Sequence, residues 1–458
     1  MGESLQTNQP TSFVRKNSDS FIAMAVLDYK LLLQIRRGAV GNFGLRVTAA
    51  VLNMLSGVLL ARLLKAEGYG IYAYYLTIIS VINVPVMAGL PNLIVRYVAS
   101  YAVAGKWGLA KGLILRANQV VLMLSIVVAI GMAYAVYGSS GDFSPIELAT
   151  LLFALPLLPF VALGGIREAI LRAFGRPVSA LVPEYGVRPT LFVLLLLGAY
   201  IFFEKDATPD KVMLFQLSAA ATAFIVGVFL ILRVQPNELK GVEPDYQTRA
   251  WVKSAIPFML FGGVTILNKR LDVLMVGSFL ESSDVGVYQV VVRMTDIALF
   301  IIISINSVIT PMLAELYERG DQGKLQSILA FVARVSFFST IPIVILLSLF
   351  GVQILELVFG PEFGRGFYSM VILSVGQLIG AALGSGGQLL LMSGNEKSVV
   401  FIGWLSLLVN FALNYILIPY IGINGAAIAT VVSMVVWNGA LAWWCAKIVS
   451  VNSTLLSG

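Results

Sequence analysis

LLKAEGYGIYAYYLTII, at 63 to 79, and FLESSDVGVYQVVVRMTDI, at 279 to 297, are the stretches that decide how this chain folds. Each begins at the end of a long apolar run, and Gly70 and Tyr72 of the first stand at the same offset as Gly286 and Tyr288 of the second. A second pair of landmarks lies further along. AFGRPVSALVPEYGVRPTLFVLLLL starts at Ala173 and MSGNEKSVVFIGWLSLLVNFALN at Met392, which puts Gly175 in register with Gly394. The separations, about 216 and 219 residues, are close enough to indicate two copies of one unit, a common construction in transporters.

Outward from these landmarks the chain is apolar. Of its 458 residues, 58% are hydrophobic and 12% charged, against about 45 to 50% and about 25% in a soluble domain. Runs of about 20 apolar residues, each able to cross a hydrocarbon core about 30 Å thick, are predicted at 38–61, 69–95, 112–137, 146–166, 178–203, 212–233, 252–279, 286–314, 325–350, 366–392, 398–419 and 424–446. The expected fold is an all-α polytopic membrane protein of about twelve transmembrane helices, in two pseudo-symmetric six-helix lobes around a central cavity. Six is even, so the lobes share one orientation and are related by an axis along the membrane normal.

The N-terminal lobe is expected at 38–233 and the C-terminal lobe at 252–450. Between them VQPNELKGVEPDYQTRAW, at 234–251, reads as a linker with two prolines and mixed charges. Residues 1–37 form a tail whose FIAMAVLDYKLLLQI, at 21–35, suits an amphipathic surface helix or a disordered segment equally, and 451–458 form a second tail. Arg96, Lys106, Lys111 and Arg116, then Arg167, Arg172 and Arg176, then Arg233, Lys240, Arg249 and Lys253 fall on one side of the membrane, where only Arg62, Lys65, Lys205, Lys211 and Arg365 fall on the other. The excess marks the cytoplasmic side. Both termini and the linker are expected there, with the protein in the cell inner membrane.

There is no histidine, and the lone Cys445 lies in the last apolar run. Disulfides within the chain, thiolate or imidazole metal sites and Cys/His catalysis are therefore excluded. The chemistry falls to Arg, Lys, Asp, Glu and amides. A charge inside a span costs about 2.5 to 3.5 kcal/mol on insertion scales, so it normally pairs or lines a wet cavity. Arg46, Glu184 with Arg188, Lys269, Arg270 and Asp272, Arg293 with Asp296, and Arg334 are such charges. Lys269 and Asp272, three apart, share a helix face and can pair, with Arg270 left available about 100° round the helix. Glu184 and Arg188, four apart, are most simply a surface pair. Ion pairs that merely orient helices are the alternative for any single residue. Through the repeat, Lys269 and Asp272 fall opposite Asn53 and Ser56. Amides such as Asn306, Gln377, Gln388, Asn410 and Asn414 suit sugar hydroxyls and helix contacts equally, so none is assigned to a site. GAALGSGG, at 380–387, is expected to serve close helix packing.

The cationic first span, the linked halves, NKRLDVLMVGSFLESSDVGVY at 268–288 and GNEKSVVFIGWLSLLVNFALNYILIPYIGINGAAIATVVS at 394–433 resemble the O-antigen-type polysaccharide flippases of the multidrug/oligosaccharidyl-lipid/polysaccharide exporter superfamily, over essentially residues 38 to 450. The resemblance implies a V-shaped pair of lobes that carries an undecaprenyl-pyrophosphate-linked oligosaccharide from the cytoplasmic to the outer leaflet, for surface polysaccharides such as lipopolysaccharide or exopolysaccharide. It implies alternating access driven by H+ or Na+, with no catalytic residue, metal or cofactor. The lipid-linked oligosaccharide and the bilayer are the expected partners, with a polysaccharide polymerase and glycosyltransferases beyond them and no nucleic acid.

The residues suit that cargo, because guanidinium presents a fixed fork of donors to phosphate oxygens. Arg46 and Arg270 are the first candidates for a cationic cavity, with Lys269 and Arg293 next. Asp272, and after it Asp296, are candidates for exchanging the coupling ion, unless Asp272 is permanently paired with Lys269. A multidrug antiporter would be expected to place carboxylates where span one offers only Arg46. Peptidoglycan-precursor exporters share a cationic cavity but commonly have two further helices. A membrane polymerase or ligase would need a larger outer loop than any here.

Overall fold

The computed structural model describes residues 12–138, 143–202 and 207–455. Its apolar runs are helices, the form in which a single segment satisfies its own backbone in lipid. They are α1 (Ser12–Met87), α2 (Leu90–Val103), α3 (Trp107–Gly138), α4 (Pro145–Ala154), α5 (Leu157–Ala173), α6 (Pro177–Leu181), α7 (Arg188–Phe202) and α8 (Pro209–Val234) in the first lobe. In the second they are α9 (Thr248–Phe279), α10 (Ser282–Glu318), α11 (Gln322–Ile354), α12 (Phe367–Leu383), α13 (Gly386–Met392), α14 (Glu396–Ile421) and α15 (Ile423–Ile448).

Eleven helical runs among the described residues are long and apolar enough to cross a membrane. The first, Gly41–Met87, has 47 residues, about 70 Å of helix at 1.5 Å per residue and more than twice the hydrocarbon thickness of about 30 Å. Lys65, with φ 57° and ψ −170°, is not helical and turns the chain back. Before the turn Arg293 of α10 reaches Asn53; after it Val84 faces Gly263 of α9. Because α9 and α10 themselves meet at an extended Leu280, both arms leave the same face of the bundle, and the described residues make twelve passes through it. The two spans predicted at 38–61 and 69–95 are joined with almost no loop. The tail is helical from Ser12, continuous with the first span; its residues 1–11 lie outside the described ones.

The duplication is visible in the backbone. Gly175 and Gly394, matched from sequence, adopt φ of 71° and 76°, and Gly105 and Gly320 repeat the device with 69° and 71°. A left-handed turn costs glycine little and other residues more. The first arm of α1 packs on α10 and the second on α9, the exchange of partners that a two-fold axis between lobes requires.

The face with the helix ends near 103–107, 173–177, 234–248, 318–322 and 392–396 is called the terminal face here. The linker lies on it, not free but laid along α3. Asp245 N donates to the Gly108 carbonyl at 3.0 Å, Lys111 Nζ to the Val242 carbonyl at 2.8 Å, and Arg116 stands 4.9 Å over the Tyr246 ring. A side chain on Gly112 would overlap the Asp245 carbonyl. Gly112→Val is expected to lift the linker at a cost of about 1–3 kcal/mol, the usual range for overpacking; faster proteolysis at 240–247 in the folded protein would report it, and an unchanged rate would refute it. The C-terminal residues are likewise packed, since Val451 and Ser453 are buried and Leu455 N donates to Ala382 at 2.8 Å. Gly384, at φ 77°, breaks α12 from α13 where a side chain would overlap Ser453. The glycine run thus serves packing, as expected.

Candidate functional site

At the opposite face the lobes are shut. Gly70 and Gly286, the repeat landmarks, bring the two backbones together: a Cβ on Gly286 would overlap the Ala66 carbonyl, and one on Gly70 the Ser282 carbonyl. These contacts are related by the repeat itself. Ala66 N also donates to Glu362 Oε2 at 3.0 Å, and the Arg62 guanidinium donates to the Leu357 and Val358 carbonyls. One seam stays closed down to the terminal face, where Tyr97 and Ser254 hydroxyls lie 3.0 Å apart and Trp251 Nε1 donates to Tyr101 at 3.1 Å. The other seam is open to the outside of the bundle on the terminal side of Asn53, where Phe43, Arg46, Thr48 and Val51 of α1 and Lys269 of α9 are exposed.

The charges sort into three places. Where α1, α9 and α10 meet, Arg293 donates to the Asn53 carbonyl and to Ser56 Oγ at 3.3 Å, over Gly57, where any side chain would strike the guanidinium. Lys269, Arg270 and Arg293 all act on the Asp296 carboxyl, and Arg293 and Arg270 both act on Tyr69. The Tyr69 hydroxyl is buried without a partner among the described residues. No carboxylate there comes within ion-pair distance of Lys269, Arg270 or Arg293, so three cations share one nearby acid and carry excess positive charge.

Arg46 is elsewhere. It lies two turns from Asn53 toward the terminal face, about 10 Å along the helix, 5.3 Å from the Tyr185 ring and in the field of Glu168. The structure therefore does not bring Arg46 together with Arg270; Arg46 lies nearer the terminal face, beside Tyr185 and Glu168 of the first lobe. Glu184 and Arg188 do pair, at 3.1 Å, and Arg334 is exposed on α11.

Asp272 corrects a sequence expectation. It does not pair with Lys269. Positions three apart differ by about 60° around a helix, enough here for Lys269 to be exposed while Asp272 points into the C-terminal lobe, 6% exposed. Its carboxylate accepts from Thr430 Oγ1 at 2.6 Å, from Asn414 Nδ2 at 2.8 Å and from the Tyr288 hydroxyl at 3.5 Å. No cationic side chain among the described residues pairs with it. Asn414 Oδ1 beside it is buried and unpartnered. Asn410 and Asn414 were legible as intramembrane amides without an assigned site, and Thr430 only as a span residue. Tyr288 was legible as a repeat landmark, with nothing to mark its acid partner.

The family model described as polysaccharide biosynthesis protein matches residues 35–317. The chain is 30% identical over 185 residues to the probable low-salt glycan biosynthesis flippase Agl15 of Haloferax volcanii, a match covering 40% of this chain and 39% of that protein. Among solved structures it resembles a multidrug resistance MATE family transporter of the MOP superfamily in an inward-facing conformation, with TM-score 0.75, 14% identity and coverage of 90% and 98% of the two chains. It also resembles the lipid II flippase MurJ in an inward closed conformation, with TM-score 0.70, 16% identity and coverage of 89% and 87%.

Proposed function

The chain belongs to the polysaccharide biosynthesis protein family, and we propose that it is a flippase that moves a polyprenyl-pyrophosphate-linked oligosaccharide from the cytoplasmic to the outer leaflet of the inner membrane, without covalent chemistry. The observation that carries this is the cluster of Lys269, Arg270 and Arg293 around one carboxylate, at the depth of an opening whose far end is shut. A pyrophosphate needs concentrated positive charge when it leaves bulk water, and a fixed set of guanidinium donors supplies it. Arg46, exposed nearer the terminal face, would meet the head group first. The polyprenyl tail has no need to enter and stays in lipid along the open seam.

The terminal face is assigned to the cytoplasm from its excess of Arg and Lys. This structure is then the state that loads cargo, and transport requires the Gly70–Gly286 contact to part while the opposite end closes. Asp272 is proposed as the coupling site for H+ or Na+, because a buried carboxylate lacking a cationic partner is costly unless a proton or metal ion neutralises it. Polymerases and glycosyltransferases would act on the cargo before and after its passage.

The test is complementation of cells lacking the gene. Removing one partner of a buried charged contact, as Arg270→Ala would, costs about 2–5 kcal/mol, about thirtyfold or more in binding. Arg270→Ala and Arg46→Ala should each strongly reduce surface glycan, with normal protein in the membrane and lipid-linked glycan accumulating on the cytoplasmic leaflet. Full export by both variants would sink the site. Unpolymerised glycan accumulating outside would point to a polymerase instead.

A further inference from the structure

The C-terminal lobe holds a second recess, of about 300 Å³, between α9, α10, α12, α13 and α15. No charged residue lines it. Its polar groups are Thr265, Asn306, Gln377, Ser385, Gln388 and Asn438, with the Trp437 ring as a flat apolar wall. Much of their bonding capacity is unspent. Among the described residues no side-chain hydrogen bond engages Gln377 or Gln388, while Asn306 Oδ1 accepts only from Ser385 at 2.6 Å and Asn438 donates only to its own helix at 3.0 Å. Gln377 is buried and Asn306, Gln388 and Asn438 are half-buried, and amides left this way call for a ligand or water to complete them. Gly380 and Gly387 border the space, where a Cβ would face Asn438 and Leu441 of α15.

Its position matters as much as its chemistry. Thr265 is one helical turn before Lys269, about 6 Å along α9, and Leu299, also in the lining, is three residues after Asp296 on α10. The recess therefore opens about one turn from the cationic cluster, toward the terminal face.

We propose that this recess binds the sugar joined directly to the pyrophosphate, reading its hydroxyl and amide groups while Lys269, Arg270 and Arg293 hold the phosphates. The inference rests on the flippase function proposed above and deepens it by naming the residues that select the glycan. A neutral, hydroxyl-rich group matches a lining of amides and one indole without charge, and the volume lies at the small end of ligand sites, which run from about 300 to 1,000 Å³.

Native mass spectrometry of the full-length protein tests it, with two probes: polyprenyl pyrophosphate, and the same lipid carrying one N-acetylhexosamine. The wild type should prefer the glycosylated lipid at least tenfold. Gln388→Leu should bring that preference close to one without changing capture of the bare lipid. Gly380→Leu should do the same by filling the space, since a Cβ there meets only Asn438 Nδ2 at 3.6 Å and Met434 Cε at 3.7 Å. Arg270→Ala should weaken both probes together. Equal binding of the two lipids by the wild type, as for a merely water-filled crevice, overturns the proposal. So does a preference that survives both recess variants, or loss of bare-lipid binding in both, which would make the recess part of the fold's support. Failure of the wild type to bind either lipid removes the flippase reading and this inference with it.

Discussion

Gly286→Val is expected to abolish export by preventing the lobes from closing at the face opposite the termini. The valine Cβ would occupy the place of the Ala66 carbonyl oxygen and press on Gly70 N, at 3.1 Å. Both obstacles are backbone, so no rotamer change relieves them. Overpacking of this kind costs about 1–3 kcal/mol, and here the cost falls on the closed state alone. Each 1.4 kcal/mol is a tenfold change in an equilibrium, so the loading state should lose about fivefold to a hundredfold of its population. Gly70→Val, which meets Ser282 across the pseudo-two-fold axis, should act in the same direction. Spin labels at Glu67→Cys and Glu281→Cys, exposed beside the Gly70–Gly286 contact on either lobe, in a Cys445→Ala background, report the separation. It should widen in both valine variants as surface glycan disappears. Unchanged distances with unchanged export would show that this contact is not the gate.

The parts of this molecule that repeat were legible in sequence, and the parts that differ between lobes were not. Gly70, Gly286, Gly175 and Gly394 are fixed by backbone geometry that both copies need, so they survive as a pattern at about 216 to 219 residues. The tyrosines two residues beyond the gate glycines show where the pattern stops informing. Tyr72 stacks on Phe192, centroids 6.3 Å apart, whereas Tyr288 faces Asp272. The same repeat position thus has an apolar partner in one lobe and an acid in the other. Helix spacing grouped Lys269 with Asp272, but which side of α9 faces the opening depends on how α9 packs, and Asn268 marks the opposite, packed side by donating to Gly403 of α14 at 3.3 Å. The amide recess was illegible for a different reason. Thr265 and Asn438 lie far apart in the chain, and each alone looks like an ordinary helix-contact residue.

Asp272→Asn is expected to uncouple export from the ion gradient while leaving the fold and the cargo site in place. Asparagine has nearly the same shape, can still accept from Thr430, and remains beside Asn414 and Tyr288, so the polar core of the C-terminal lobe stays filled. What it removes is a charge that a proton or Na+ can neutralise. A membrane potential of 100 mV acting on one charge is worth about 2.3 kcal/mol, up to about fiftyfold in rate if that charge moves across the full field. In proteoliposomes the wild type should accelerate when a pH or Na+ gradient is imposed, and the response to one ion and not the other identifies it. The Asp272→Asn protein should flip cargo at one rate with or without the gradient. Asp296→Asn is the discriminating control. Asp296 sits among Lys269, Arg270 and Arg293, so its loss should tighten or weaken cargo binding through the cationic cluster but preserve the gradient response. If Asp296→Asn flattens the gradient response and Asp272→Asn keeps it, the coupling ion exchanges in the opening, and the carboxylate buried behind α9 is structural.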